Sequence, residues 1–172
     1  MVGSGYAEDP KELLALKKDF EASPAKNTEA GREQYIVSLI HLWEKYKEVY
    51  ESTGKKAGGN EMWAVDLEIA NRPALKDYNP SPRLLLGDWE GARHGTRYFA
   101  DNKWIMLPAD DCTTHGKWKI SKNEYFKNYS DWGDKFDSGS SIYLLNHDYF
   151  VFGDHKGVYI QKRVSYGTYG KE

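Results

Sequence analysis

The feature that most constrains this chain is a change of rhythm near residue 83. Before it, apolar residues recur at three- and four-residue intervals; after it, short β-branched and aromatic runs are separated by turn residues at fairly regular spacing. A helical period does not settle into a strand, nor an alternating one into a helix, so the two parts specify different structural classes. Composition divides at the same place: residues 1–83 hold 8 aromatics and 6 glycines, whereas residues 84–172 hold 17 and 10. With 172 residues, and roughly 150 per domain, there is room for one domain, or one domain with a helical extension.

In the first part, Asp9 reads as an N-cap before Pro10, and Leu13, Leu14, Leu16 and Phe20 predict a helix to about Ala22. Asn27-Thr28 opens a second, longer helix on which Tyr35, Ile36, Leu39, Ile40, Trp43, Tyr46 and Tyr50 form an apolar stripe up to Gly54. Core packing is the stronger reading of that stripe, and a partner-binding face the weaker. Asn60 is placed to cap a third helix, with Met62, Val65 and Ile69 on one face, ending before Pro73. The organisation expected is a helical segment over 1–72, a proline-rich connector over 73–83 and a β domain over 84–172.

The second part reads as an antiparallel meander with strands near 84–93, 95–100, 103–107, 114–120, 124–129, 141–146, 149–153 and 158–164. Asp101-Asn102, Lys122-Asn123 and His147-Asp148 are the candidate tight turns. Alternation sets Trp118 and Ile120 against Lys117 and Lys119, and Ile142 and Leu144 against Tyr143 and Leu145. Tyr143–Leu145 and Phe150–Phe152 are apolar on both faces and need cover on both, for which the helices are the obvious candidates. The fold class expected is α+β, with N-terminal helices packed on a C-terminal antiparallel meander or partly closed barrel.

Gly87-Asp88-Trp89, the run Thr96 to Trp104, the run His115 to Ile120, Asn123-Glu124-Tyr125-Phe126 and the run Tyr159 to Arg163 carry a resemblance. Over about 84–164 the chain resembles a bacterial lipocalin-like domain, whose pattern runs G-x-W, an aromatic strand ending in a tight turn, a second G-x-W and two late strands. Asn102-Lys103 stands where that family has Gly-Thr, and the helical half has no counterpart in it. The resemblance implies a small meander or partly closed barrel, often found on exported bacterial proteins. It implies no activity.

Net charge is −2 and pI about 6.2, so no basic field of the kind a phosphate backbone selects is present. No run approaches the ~18 consecutive apolar residues of a membrane span. The single Cys112 excludes an internal disulfide. Met1 to Ala7 has neither the basic n-region nor the apolar h-region of a signal peptide. Gly5 and Ala7 nevertheless suit the stub of a cleaved leader, which favours a periplasmic or extracellular setting over a cytoplasmic one.

Among candidate sites, Trp89, Arg93, Arg97, Tyr98, Trp104 and Trp118 come from neighbouring strands. If register joins them at one end, flat apolar walls and fixed cationic donors suit a small apolar or aromatic carboxylate. The competing reading has Arg93 lying over Trp89 and closing the barrel end. Asp110, Asp111, Cys112 and His115 are the densest set of potential ligands, but Cys112 and His115 are only half of a zinc-like pair, and His94, His147 and His155 would have to converge through the fold. Asp131, Asp134 and Asp137, interleaved with Trp132 and Phe136, lack calcium-loop spacing and read as an aromatic lid or recognition loop. The function expected is a non-enzymatic small-ligand-binding or envelope-associated module without a cofactor. The alternatives are a metal-dependent or Cys/His hydrolase using the 110–115 loop, and a protein-interaction module.

Overall fold

The computed structural model describes residues 8–53, 59–72, 77–108, 114–154 and 157–166. The chain divides into two compact units, residues 1–71 and 72–172, and it is α+β: helices in the first, a closed antiparallel barrel in the second.

Among the described residues the first unit comprises α1 (Lys11–Ala22), a 3-10 turn (Pro24–Asn27), α2 (Glu29–Thr53) and α3 (Gly59–Ala70). Pro10 itself occupies the N-cap of α1, without a side-chain cap. Asp9, expected to cap, instead reaches along the helix to Lys17 Nζ at 3.1 Å. Thr28 does cap α2, its Oγ1 accepting from the Gly31 N–H at 3.0 Å. Tyr35, Ile36, Leu39, Ile40, Leu42 and Tyr46 form the buried face of α2, and Val65 and Ile69 that of α3. Phe20 of α1 stacks on Tyr35 with 3.9 Å between ring centres. The outer end of the α2 stripe does not join this core, since Tyr50 is exposed.

The second unit runs β1 (Gly87–Glu90), β2 (Gly95–Tyr98), β3 (Lys103–Leu107), β4 (His115–Ser121), β5 (Glu124–Lys127), β6 (Ser140–Leu145), β7 (Tyr149–Asp154) and β8 (Gly157–Ser165). Each strand pairs antiparallel with the next, and β8 pairs with β1. Closure removes the unpaired edges that an open meander would leave. The connections therefore fall at two ends. One, the loop end, carries β1–β2, β3–β4, β5–β6 and β7–β8; the other, the terminal end, carries the remaining turns and the points where the chain enters and leaves.

Three expectations are corrected. The first strand is four residues long rather than ten, because Pro82–Leu85 coils into a 3-10 turn whose Leu85 carbonyl accepts from Trp89 Nε1 at 2.7 Å. Ile142 and Leu144 do not share a face: a register shift between them turns Ile142 and Leu145 inward, where both pack in the barrel core. The extra residue of a β-bulge breaks the period of two on which the alternation rested. At the β4–β5 turn the left-handed residue is Lys122 (φ 57°), not Asn123, whereas Asn102 (φ 64°) takes that role in the β2–β3 turn as expected.

Candidate functional site

The barrel interior is filled. Trp89, Tyr98, Trp104, Trp118, Tyr125, Ile142, Leu145 and Phe150 project into it, each no more than 4% exposed. Phe150 is the hub, meeting Trp89, Tyr98 and Tyr125 edge-on with ring centres 5.2 to 6.3 Å apart. A polar thread crosses this core. The Tyr98 and Tyr125 hydroxyls lie 3.2 Å apart, Tyr98 Oη donates to Gln161 Oε1 at 3.3 Å, and Gln161 Nε2 donates to Thr96 Oγ1 at 3.4 Å. Burial pushes both phenols well above their ordinary pKa, so they stay neutral and act as hydrogen-bonding groups.

Of the six residues expected to meet at a ligand, the structure brings together Trp89, Tyr98, Trp104 and Trp118, as core. Arg97 faces out and makes a two-pronged pair with Asp88 at 2.6 and 2.8 Å, which holds the Asp88 carboxyl below its usual range. Arg93 lies at the exposed tip of the β1–β2 loop, beyond the end of the strand that carries Trp89. The cation over Trp89 is Arg163 of β8, 4.2 Å from the ring centre, donating to the carbonyls of Leu84, Leu86 and His147. It closes the terminal end.

The loop end is different. The Gly91 N–H donates to the His94 carbonyl at 3.0 Å, which tightens the β1–β2 loop and places Arg93 at its tip. Beside it opens a cleft of about 530 Å³, with Arg93 and His94 on one wall and Met106, Leu107 and Pro108 on the other. Lys127, the last residue of β5, lies over Trp104 at 3.7 Å from the ring centre. Burial lowers its pKa to about 8, with Asp137 opposing. His94 is lowered by burial and then by the charges of Lys127 and Arg93, so the three basic groups share one field. Lys127 carried no motif that named it, and Arg163 stood only at the end of a run that carries the resemblance, with no role assigned to it. The signal available was alternation, since period two places Lys127 on the face of Tyr125, and Arg163 on that of Gln161.

The remaining candidates do not assemble. His115 is exposed at the start of β4, while Asp110, Asp111, Cys112 and His155 lie outside the described residues. His94 and His147 sit in connections at opposite ends of the barrel. Among the described residues no group of three or more His, Cys, Asp or Glu could hold a metal ion. The three loop aspartates go separate ways: Asp137 Oδ1 accepts from the Lys127 and Gly139 N–H groups, Asp134 pairs with Lys117 at 2.8 Å, and Asp131 is exposed. Asn128, buried, ties the loop down by donating to the carbonyls of Gly133 and Lys135, both at 2.7 Å. Trp132 remains exposed above it. No described helix is long and apolar enough to cross a membrane.

Compared with protein families, curated proteins and solved structures, the chain finds no match in any of the three.

Proposed function

We propose that the barrel is a non-enzymatic binding module that takes a small apolar or aromatic carboxylate at its loop end, and that the chain is a bacterial lipocalin-like protein with a helical extension. The observation that carries this reading is the field shared by Arg93, His94 and Lys127 beside a cleft walled by Met106, Leu107 and Pro108. The Arg93 guanidinium at the cleft, with the Lys127 ammonium nearby and an apolar wall opposite, suits an anionic head on an apolar body. The closed eight-stranded meander agrees with the architecture that the resemblance implied. Because the interior is filled with side chains, this reading takes the ligand at the barrel mouth rather than inside it.

Tryptophan fluorescence, titrated with a panel of aromatic and acyl carboxylates, tests this, because Trp104 lies under the Lys127 ammonium. The expected result is a saturable change with at least one member of the panel, weakened in Arg93→Gln. Unchanged emission across the whole panel, or equal affinity of the variant, would overturn it.

A further inference from the structure

A row of near-parallel rings leads from the barrel core to its loop end. Phe150 and Phe152 of β7 stack with ring centres 4.5 Å and planes 25° apart, and Phe152 stacks in turn on Tyr159 of β8, its cross-strand partner, at 5.3 Å and 20°. The row begins fully buried at Phe150 and ends on a ring with 63% of its surface exposed. Register explains why it ends there. The pairing of β8 with β1 stops at Lys162 opposite Glu90, whereas its pairing with β7 runs on to Gly157, so the part of β8 that carries Tyr159 has a strand on one side alone. Period two puts Tyr159 on the face of Gln161, whose side chain reaches Tyr98 and Thr96 inside the barrel. The exposed ring therefore stands on the inner face, at the mouth, rather than on the outer wall.

Other groups of the mouth tie that ring to the cations. The Lys127 ammonium lies 3.7 Å from the centre of the Trp104 ring and 5.6 Å from that of Tyr129, and Tyr129 meets Trp104 edge-on at 5.4 Å. The Tyr129 phenol is raised first by burial and then by the charges of Asp137 and Tyr159, which places Tyr159 within electrostatic reach of the ring beside Lys127. Asp137 is itself held by the Lys127 and Gly139 N–H groups. Two kinds of apolar wall thus meet at the loop end, and they differ in what they select. Met106, Leu107 and Pro108 offer area, which a chain or a saturated ring buries as well as a flat one. An aromatic ring already stacked on one side offers in addition a quadrupole face, which favours only another flat ring.

We propose that Tyr159 makes the loop end selective for flat aromatic carboxylates over acyl or alicyclic ones, the ligand ring continuing the row beyond Tyr159 with its carboxylate turned toward Lys127 and Arg93. The inference rests on the carboxylate reading given above and adds to it the residue that decides between the two classes of apolar body.

Calorimetric titration of the full chain with 2-naphthoate and with its saturated counterpart, decahydro-2-naphthoate, tests this, because the two share charge and carbon skeleton and differ in flatness. The parent is expected to bind the naphthoate about two- to tenfold more tightly. Tyr159→Leu, at a position exposed enough to accept the change without unfolding, is expected to bring the two affinities together, and Tyr159→Phe to keep them apart. Saturable binding of both probes with equal affinity, or a preference that Tyr159→Leu leaves intact, would overturn the inference and leave the carboxylate reading standing. Binding of neither probe would overturn both.

Discussion

The Arg163 guanidinium lies 4.2 Å from the centre of the Trp89 ring and donates to carbonyls from two other parts of the chain, Leu84 and Leu86 before β1 and His147 in the β6–β7 turn. A planar, always-charged fork can do both at once, stacking on the indole while its N–H groups point outward in the ring plane. An ammonium offers neither the flat face nor the divergent donors. Arg163→Lys is therefore expected to fall well short of the parent, and Arg163→Ala to lower unfolding free energy by about 1–3 kcal/mol, the cost of leaving acceptors unpaired. Urea unfolding of the two variants checks this. A lysine variant as stable as the parent would show that the charge alone matters.

At the loop end, Lys127 covers Trp104 in a corresponding way but at a cost that depends on pH. Its folded pKa is lowered to about 8 by burial, against roughly 10.4 in an unfolded chain. Between those values the unfolded state binds more protons, so this group makes stability rise with pH from about 8 to about 10. Lys127→Met is expected to flatten that rise in urea midpoints measured at pH 7.5 and 9.5. Carboxylate affinity at the cleft is expected to fall over the same interval, as the ammonium loses its proton.

Much of this architecture was legible in the sequence, for a physical reason. Periods of 3.6 and 2 report which face is buried, and Leu13, Val65, Trp118 and Tyr125 are buried where those periods place them. Period fails where the backbone departs from it. The bulge beside Tyr143 shifts the later assignments on its strand, and the 3-10 turn at Pro82–Leu85 cuts the first strand short. The site was harder to read, because cation–indole pairs join residues far apart in sequence: Trp89 with Arg163, Trp104 with Lys127. Arg93 was the nearest cation to Trp89 along the chain and the wrong one in space.

In the helical unit, burial raises the Asp66 carboxyl to about 7, offset only in part by the nearby Trp43 indole. Neither Asp66 Oδ1 nor Trp43 Nε1 is at hydrogen-bonding geometry with any partner among the described residues. A carboxyl whose folded pKa exceeds its unfolded value near 3.9 binds more protons when folded, so stability is lost as pH rises from about 4 to about 7. Asp66→Asn is expected to be more stable than the parent by about 1–3 kcal/mol at pH 8, with the difference vanishing near pH 4. Paired thermal melts at the two pH values measure it. A parent that gains its stability from an ionised Asp66 would show the opposite order.

Trp104 and Trp118 supply a sharp test of the barrel core, because they share size and burial but differ in the partner of the indole N–H and in the Lys127 ammonium that lies over Trp104 alone. Trp104 Nε1 donates to the Asn128 carbonyl at 2.9 Å, an approach that the absence of a side chain at Gly116 permits, since a Cβ there would fall 1.8 Å from the same oxygen. Among the described residues Trp118 Nε1 is buried without a partner. Replacement by Phe removes similar volume in both cases, and the cavity costs roughly cancel in the comparison. What differs is the N–H and the ammonium above the Trp104 ring. Trp104→Phe orphans a carbonyl that helps anchor the loop after β5, whereas Trp118→Phe deletes a donor already unpaired. Trp104→Phe is therefore expected to be the less stable variant by about 1–3 kcal/mol. Equal losses in urea unfolding would mean that the Trp118 N–H has an acceptor in solution, most simply a trapped water.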